Sequence, residues 1–228
     1  MSTPLENLLD KRKLRSGRKP DSLANFYEKR NRATKLVEYA HKSKNRKVIA
    51  EANNYYIIAL VTAFEVYMSD LLNELINTKK IDPLDLKINP KREYPIREVV
   101  FLIRNKVSIG ELFCNTLNFE NMSDLGLLLS SLFSINNQDF FGYLKKYRFK
   151  YISNRGAHRS FIFENDFYPK LKTLFESRHK IVHDLTFKNT PTRSQLWKMG
   201  GLITNFVHAI EILSNKFRNN RSCEVVKK

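Results

Sequence analysis

The sequence is short of residues that interrupt regular structure, with only 7 glycines and 7 prolines among 228 residues. So few breakers exclude a loop-rich chain and point to long regular elements. Cysteine is nearly absent too. Cys114 and Cys223 stand far apart and form no CxxC pair, which argues against a disulfide framework or a zinc site and for a reducing compartment. No stretch reaches about 18 uninterrupted apolar residues, so no transmembrane helix and no membrane partner are expected. Glu6 and Asn7 break the apolar stretch near the N-terminus and a basic run succeeds it, so a signal peptide is not expected either. These absences together predict a cytoplasmic protein.

Negative charge is scarce: 23 Asp and Glu face 40 Lys and Arg, a formal net charge of +17. Such an excess destabilises a compact fold by self-repulsion and calls for a counter-charge. Nucleic acid, an anionic surface and an acidic protein all qualify, and basic-patch logic favours nucleic acid. Hydrophobic residues, at 42%, are enough for a real core, and Phe 16 and Tyr 10 against Trp 1 make that core aromatic.

Periodicity predicts an all-α fold: a helical bundle with inserted short helices. Asp21-Ser22 caps a helix to about Lys44, whose Leu23, Phe26, Ala33, Val37 and Ala40 recur at helical spacing. The strongest element runs from about 48 to 76 without Gly or Pro, with Tyr56, Leu60, Phe64, Met68 and Leu72 on a wide apolar face. Prolines at 83, 90 and 95 punctuate a connection over 77–95. Short helices are expected next at about 96–105, 108–117, 123–133 and 137–146, the second with a capping box at Ser108 and Glu111. Two more helices cover about 164–185 and 192–216. The expected organisation is a basic arm over 1–21, a helical domain over 22–217 with 80–165 as an insertion, and a polar, frayed tail over 218–228.

Residues 147–163 read differently. Tyr147, Phe149 and Tyr151 alternate with Arg148 and Lys150, and Arg155 and Arg159 come soon after, so a small hairpin turning at Asn154-Arg155-Gly156 is expected there. Cations among aromatics also suit single-stranded nucleic acid, with bases stacking on rings while cations track phosphates.

The chemistry concentrates in Arg178-His179-Lys180-Ile181-Val182-His183. Among the other histidines, His41 lies among lysines and is expected exposed, and His208 is expected packed in its helix. On a helix His179 and His183 share a face. A metalloprotease-like pair needs a glutamate after the first histidine, and Lys180 stands there instead, so no metal and no cofactor are expected. Arg178 and His183 are about 140° apart around a helix, yet a long arginine still reaches toward the histidine. Together they offer a fixed positive charge and a group titrating near neutrality, which suits phosphodiester chemistry. The plain alternative is that these cations only favour a helix C-terminus.

Arg178-His179 with His183 four residues beyond resembles the RX4-6H motif of the HEPN superfamily, in which a polar residue commonly comes after the arginine; His179 fits that slot. Leu60 to Leu72 is also similar to the early long helix of many such proteins. The resemblance implies a helical bundle, usually a homodimer, in which two motifs meet in one composite site. It further implies a metal-independent endoribonuclease acting in antiviral defence, abortive infection, a toxin system or RNA processing. Arg178 and His183 would then be catalytic, with His179 assisting. Lys180, Arg148, Lys150, Arg155 and Arg159 would bind RNA, and Glu65 or Asp70 would support the motif from the earlier helix. An acidic antitoxin or regulatory partner fits the +17 charge, and a non-catalytic nucleic-acid-binding or protein-interaction module is the alternative.

Overall fold

A computed structural model describes residues 9–10, 13, 21–86, 95–117, 119, 121–135, 139–152, 158–184, 191–218 and 224–227. Most of the basic arm, Arg155 with the hairpin turn, and Cys223 lie outside these residues. The described elements are α1 (Ser22–Lys42), α2 (Arg46–Asn77), α3 (Ile96–Arg104), α4 (Ile109–Thr116), α5 (Met122–Leu132), α6 (Phe140–Lys145), β1 (Tyr147–Ile152), β2 (His158–Ile162), α7 (Phe167–His183), α8 (Arg193–Arg218) and β3 (Glu224–Lys227). The protein is helical, as periodicity predicts, and the small hairpin is present.

Local signals start the helices. The Asp21 carboxylate accepts from the Ala24 N–H at 2.9 Å and opens α1. Asn45 does the same for α2, accepting from the Lys47 N–H at 3.0 Å. The capping box at α4 is reciprocal: the Ser108 hydroxyl accepts from the Glu111 N–H at 3.1 Å, and the Glu111 carboxylate accepts from the Ser108 N–H at 2.9 Å.

Helix α2 is the axis of the fold, and α1, α4, α7 and α8 all pack on it. Tyr56, Leu60, Phe64, Met68 and Leu72 are fully buried, while Tyr55 points outward. By length and composition α2 would suffice to cross a membrane, although polar residues keep it from being one uninterrupted apolar run. Its apolar surface is instead spent on neighbouring helices. Phe64 stacks on Phe206 of α8 with centroids 5.4 Å apart and meets Phe175 of α7 edge-on at 5.6 Å. Two glycines permit close approach. A Cβ at Gly110 would stand 2.6 Å from Asn73 Oδ1, and one at Gly200 would stand 2.3 Å from the Tyr56 hydroxyl oxygen.

Residues 80–165, expected as an insertion, share the core of the long helices. Phe113, Leu125, Phe140, Phe141 and Phe149 join the same buried cluster as the long helices. They are short elements because Gly, Pro and Asn punctuate them; α4, α5, α6 and β1 bring apolar residues to the common core, whereas α3 buries only Leu102, outside that cluster.

The tail also departs from expectation. Its residues 224–227 form β3 and give the sheet the order β2-β1-β3, with both pairings antiparallel. Val225 lies opposite Phe149 and is half-buried against the core. Pairing with β2 leaves the second edge of β1 to be covered, and β3, with Val225 packed against the core, covers it.

His208 is packed within α8, as expected, and His41 is half-buried rather than exposed. The Tyr27 hydroxyl of α1 is hydrogen-bonded to His208 Nε2, and the Tyr151 ring of β1 stacks on the imidazole at 4.1 Å. Burial, and then the charge of Arg30, pull the His208 pKa from 6.5 down to about 4. Burial, reinforced by Tyr151, pushes the Tyr27 phenol up to about 12.

This packing has measurable consequences for stability. Gly200→Ala is expected to cost about 1–3 kcal/mol, because the buried Tyr56 ring has no room to retreat. Tyr56→Phe should recover part of that loss in the double variant, and denaturant midpoints of the three proteins decide it. A second expectation concerns pH. The unfolded chain takes up a proton at His208 below about pH 6.5 that the folded chain refuses until about pH 4. Stability present above pH 6.5 is therefore lost as pH falls toward 4, by up to about 3 kcal/mol. Urea midpoints across that window should show a shallower fall in His208→Gln; equal falls would refute the assignment.

Candidate functional site

The 178–183 segment forms the last turns of α7, which ends at His183 with Asp184 as its C-cap. The Asp184 N–H donates to the Lys180 carbonyl at 2.8 Å and closes the helix. Phe167, Leu171, Leu174 and Phe175 face the core and Ile181 packs against it, so the helix is held along its inner face while the outer face of its end is exposed. Beyond the 185–190 stretch, which lies outside the described residues, Asn53 Nδ2 of α2 donates to the buried Pro191 carbonyl at 2.9 Å. That bond ties the start of α8 to α2.

Burial around α7 obeys helical geometry. Arg178 is half-buried and its Nε is closed to solvent, whereas His179, Lys180 and His183 are exposed. The His179 and His183 rings come together with centroids 4.5 Å apart. Among the described residues, no three or more His, Cys, Asp or Glu side chains gather in a metal-ligating group. Glu65 and Asp70 are both half-buried on α2. Phe64 packs against Phe175, one turn before Arg178. The contact sets Glu65, whose Oε1 is closed to solvent, within about a helical turn of the arginine's level.

A groove of about 620 Å³ runs beside the segment, between the start of α5 and the outer face of α7. His179 and Lys180 line it together with Tyr168, Lys172, Glu176 and Asn121. The sequence reading missed Tyr168, Lys172 and Glu176. Their signal was the i, i+4 spacing from Tyr168 through Lys172 and Glu176 to Lys180, one continuous outer stripe of α7.

The hairpin cations are placed elsewhere. Tyr151 stacks on His208, and Phe167 packs on Phe206, so the hairpin sits at the level of the first turn of α7. The motif begins and ends 11 and 16 residues further on, about 17 and 24 Å along the axis. Arg148 and Lys150 share one exposed face of β1, across from Ile162 and Ser160. Arg159 lies opposite Tyr151 and therefore on the other face. Phe149 and Phe163 are buried and Phe161 stacks on Phe149, so these rings belong to the core. The expected stacking platform for single-stranded nucleic acid is corrected accordingly: Arg148 and Lys150 alternate with the rings of β1 because they occupy the opposite face of the sheet, while Arg159 shares the face of Tyr151.

A helical bundle with a basic Arg-His segment closing its penultimate long helix defines a HEPN-type domain. The chain belongs to the RiboL-PSP-HEPN family, whose model matches residues 21–216. The matched span includes 80–165, in keeping with the shared core. Membership supports a nuclease or RNA-related module in general terms. Searches of curated proteins and of solved structures gave no match.

Exposure at the end of α7 separates the histidines from the fold. His179→Ala and His183→Ala are each expected to change stability by less than about 1 kcal/mol, whereas Phe175→Ala should cost about 3–5 kcal/mol. Thermal and urea unfolding of the three variants measures this, and a cooperative loss of structure in His183→Ala would contradict it.

Proposed function

We propose that the chain is a metal-independent endoribonuclease that cleaves RNA through Arg178 and His183. The observation that supports this reading is the end of α7. Arg178 is set against the core and His183 is exposed on the same helix, in a HEPN-family chain carrying +17 net charge. A ribose 2′-hydroxyl attacks the adjacent phosphorus, and the bond to the 5′-oxygen breaks. A neutral histidine takes the hydroxyl proton, and the leaving oxygen gains one from a protonated imidazole or water. The products are a 2′,3′-cyclic phosphate and a 5′-hydroxyl. Arginine holds the charge that builds on the non-bridging oxygens. His179, 4.5 Å from His183 by ring centroids, assists by orienting the second imidazole.

A homodimer in which two α7 ends meet would complete the site. Lys180 lines the adjoining groove and would hold the RNA backbone there. Arg148 and Lys150 would extend the track at the other end of α7, with Glu65 or Asp70 supporting the motif from α2. An antiviral, abortive-infection or toxin setting in the cytoplasm, with an acidic protein as restraint, fits such an activity and such a charge.

Incubation with total RNA in EDTA tests the proposal. Wild-type cleavage should persist without metal and fall about 100-fold or more in Arg178→Ala and in His183→Ala. Equal cleavage by all three would end the assignment. Salt-sensitive RNA binding without cleavage would favour a non-catalytic binding module instead.

A further inference from the structure

A second basic centre lies in the bundle away from α7. Arg30 of α1 is half-buried, with its Nε closed to solvent and without a hydrogen-bond acceptor. No carboxylate pairs with it among the described residues. Tyr27 of α1, Tyr56 of α2 and His208 of α8 all lie within reach of its charge. Each of the three is neutral at neutral pH, since burial raises both phenols and depresses the imidazole. The Tyr56 hydroxyl is buried beside Arg30 and Thr34, yet makes no hydrogen bond of ordinary geometry. The Thr34 hydroxyl is already committed, donating to the Arg30 carbonyl at 3.0 Å.

Nothing in this shell balances the guanidinium. A partly desolvated cation without a counter-charge is costly, and the more so in a chain already at +17. Reaching outward to water relieves only the outer guanidinium nitrogens. What the shell does provide is a half-buried arginine whose Nε–H finds no acceptor within the protein, and a guanidinium pairs readily with a tetrahedral oxyanion. Two exposed cations are linked to the residues of this shell. Arg159 is paired with Tyr151, which stacks on His208, and Arg193 lies over Trp197, which meets Tyr56 edge-on at 5.6 Å.

We propose that Arg30 anchors a phosphate-binding site built by α1, α2 and α8, distinct from the Arg178–His183 segment on α7. The site takes a phosphate group, supplied either by a phosphodiester backbone or by a free phosphate ester or ion. It stands whether or not the chain cleaves RNA.

The chain's single tryptophan, Trp197, is the reporter, because it touches Tyr56. The full chain is titrated at constant ionic strength with inorganic phosphate, and separately with an oligoribonucleotide lacking terminal phosphates, with chloride as control. A saturable change in Trp197 emission is expected with at least one of them. A response to the oligonucleotide alone assigns the backbone, and one to phosphate assigns the free group. The apparent Kd should weaken at least tenfold in Arg30→Gln and stay at the wild-type value in Arg104→Gln, an exposed arginine of α3. Without ligand, Arg30→Gln should melt at or above the wild-type temperature, since an uncompensated charge has been removed. No saturable response beyond chloride, an unchanged Kd in Arg30→Gln, or a lower melting temperature or loss of folding in that variant would each overturn the proposal.

Discussion

The fold depends on the burial of α2 on nearly every side. A helix with only one apolar face would leave α1, α7 and α8 to find one another; α2 receives all three and fixes their relative heights. Phe64 shows how. It touches Phe206 of α8 and Phe175 of α7 at once, so one ring sets the register of the two helices that flank the motif. Burying such a side chain stabilises by about 2–3 kcal/mol, and the position of Arg178 relative to Glu65 is set by that contact. The geometry of the polar end of α7 is thus a consequence of aromatic packing in the middle of the bundle.

Charge is organised quite differently from the core. Exposed side chains form local ion pairs, such as Lys170 with Asp166 at 2.7 Å and Lys172 with Glu176 at 3.8 Å. Pairs of this kind contribute at most about 1 kcal/mol each. The +17 is a net excess that no internal pairing removes, and the outer face of β1, the end of α7 and the shell around Arg30 are three of the places that carry cations. A fold held by apolar burial tolerates that excess. The same excess makes every one of these places receptive to a polyanion.

Helices were legible because their signals are local. Asp21, Asn45 and Ser108 each cap the helix that begins at the next residue, and the apolar spacing of α2 and α8 needs no tertiary information. The hairpin was legible as an alternation, but its meaning was not. Phe149 and Arg148 look like a mixed recognition surface until β1 has two faces, and only the pairing of Tyr151 with Arg159 shows which residues share one. β3 was hidden because a four-residue strand has no signal without the edge it covers. The Arg30 shell was hidden for a similar reason: Tyr27, Tyr56 and His208 come from three elements, and no spacing within one segment connects them. His208 reads as an ordinary packed histidine until the neighbours that keep it neutral are known.

The end of α7 imposes the last constraint on mechanism. Arg178 and His183 differ by about 140° around the axis, and their burial differs too: the arginine is half-buried while the histidine is exposed. A cleft walled on the histidine side by this chain alone would have solvent opposite it, where a developing charge is screened and a proton is readily lost. Two α7 ends brought together around a two-fold axis would exclude that water and give each exposed His183 an opposing surface that carries the same cations. The 4.5 Å pairing of His179 with His183 already places two imidazoles per copy at that surface. On the proposed reading, then, the fold of one chain supplies the orientation of the groups, and a second copy would supply the dry, charged environment in which they act.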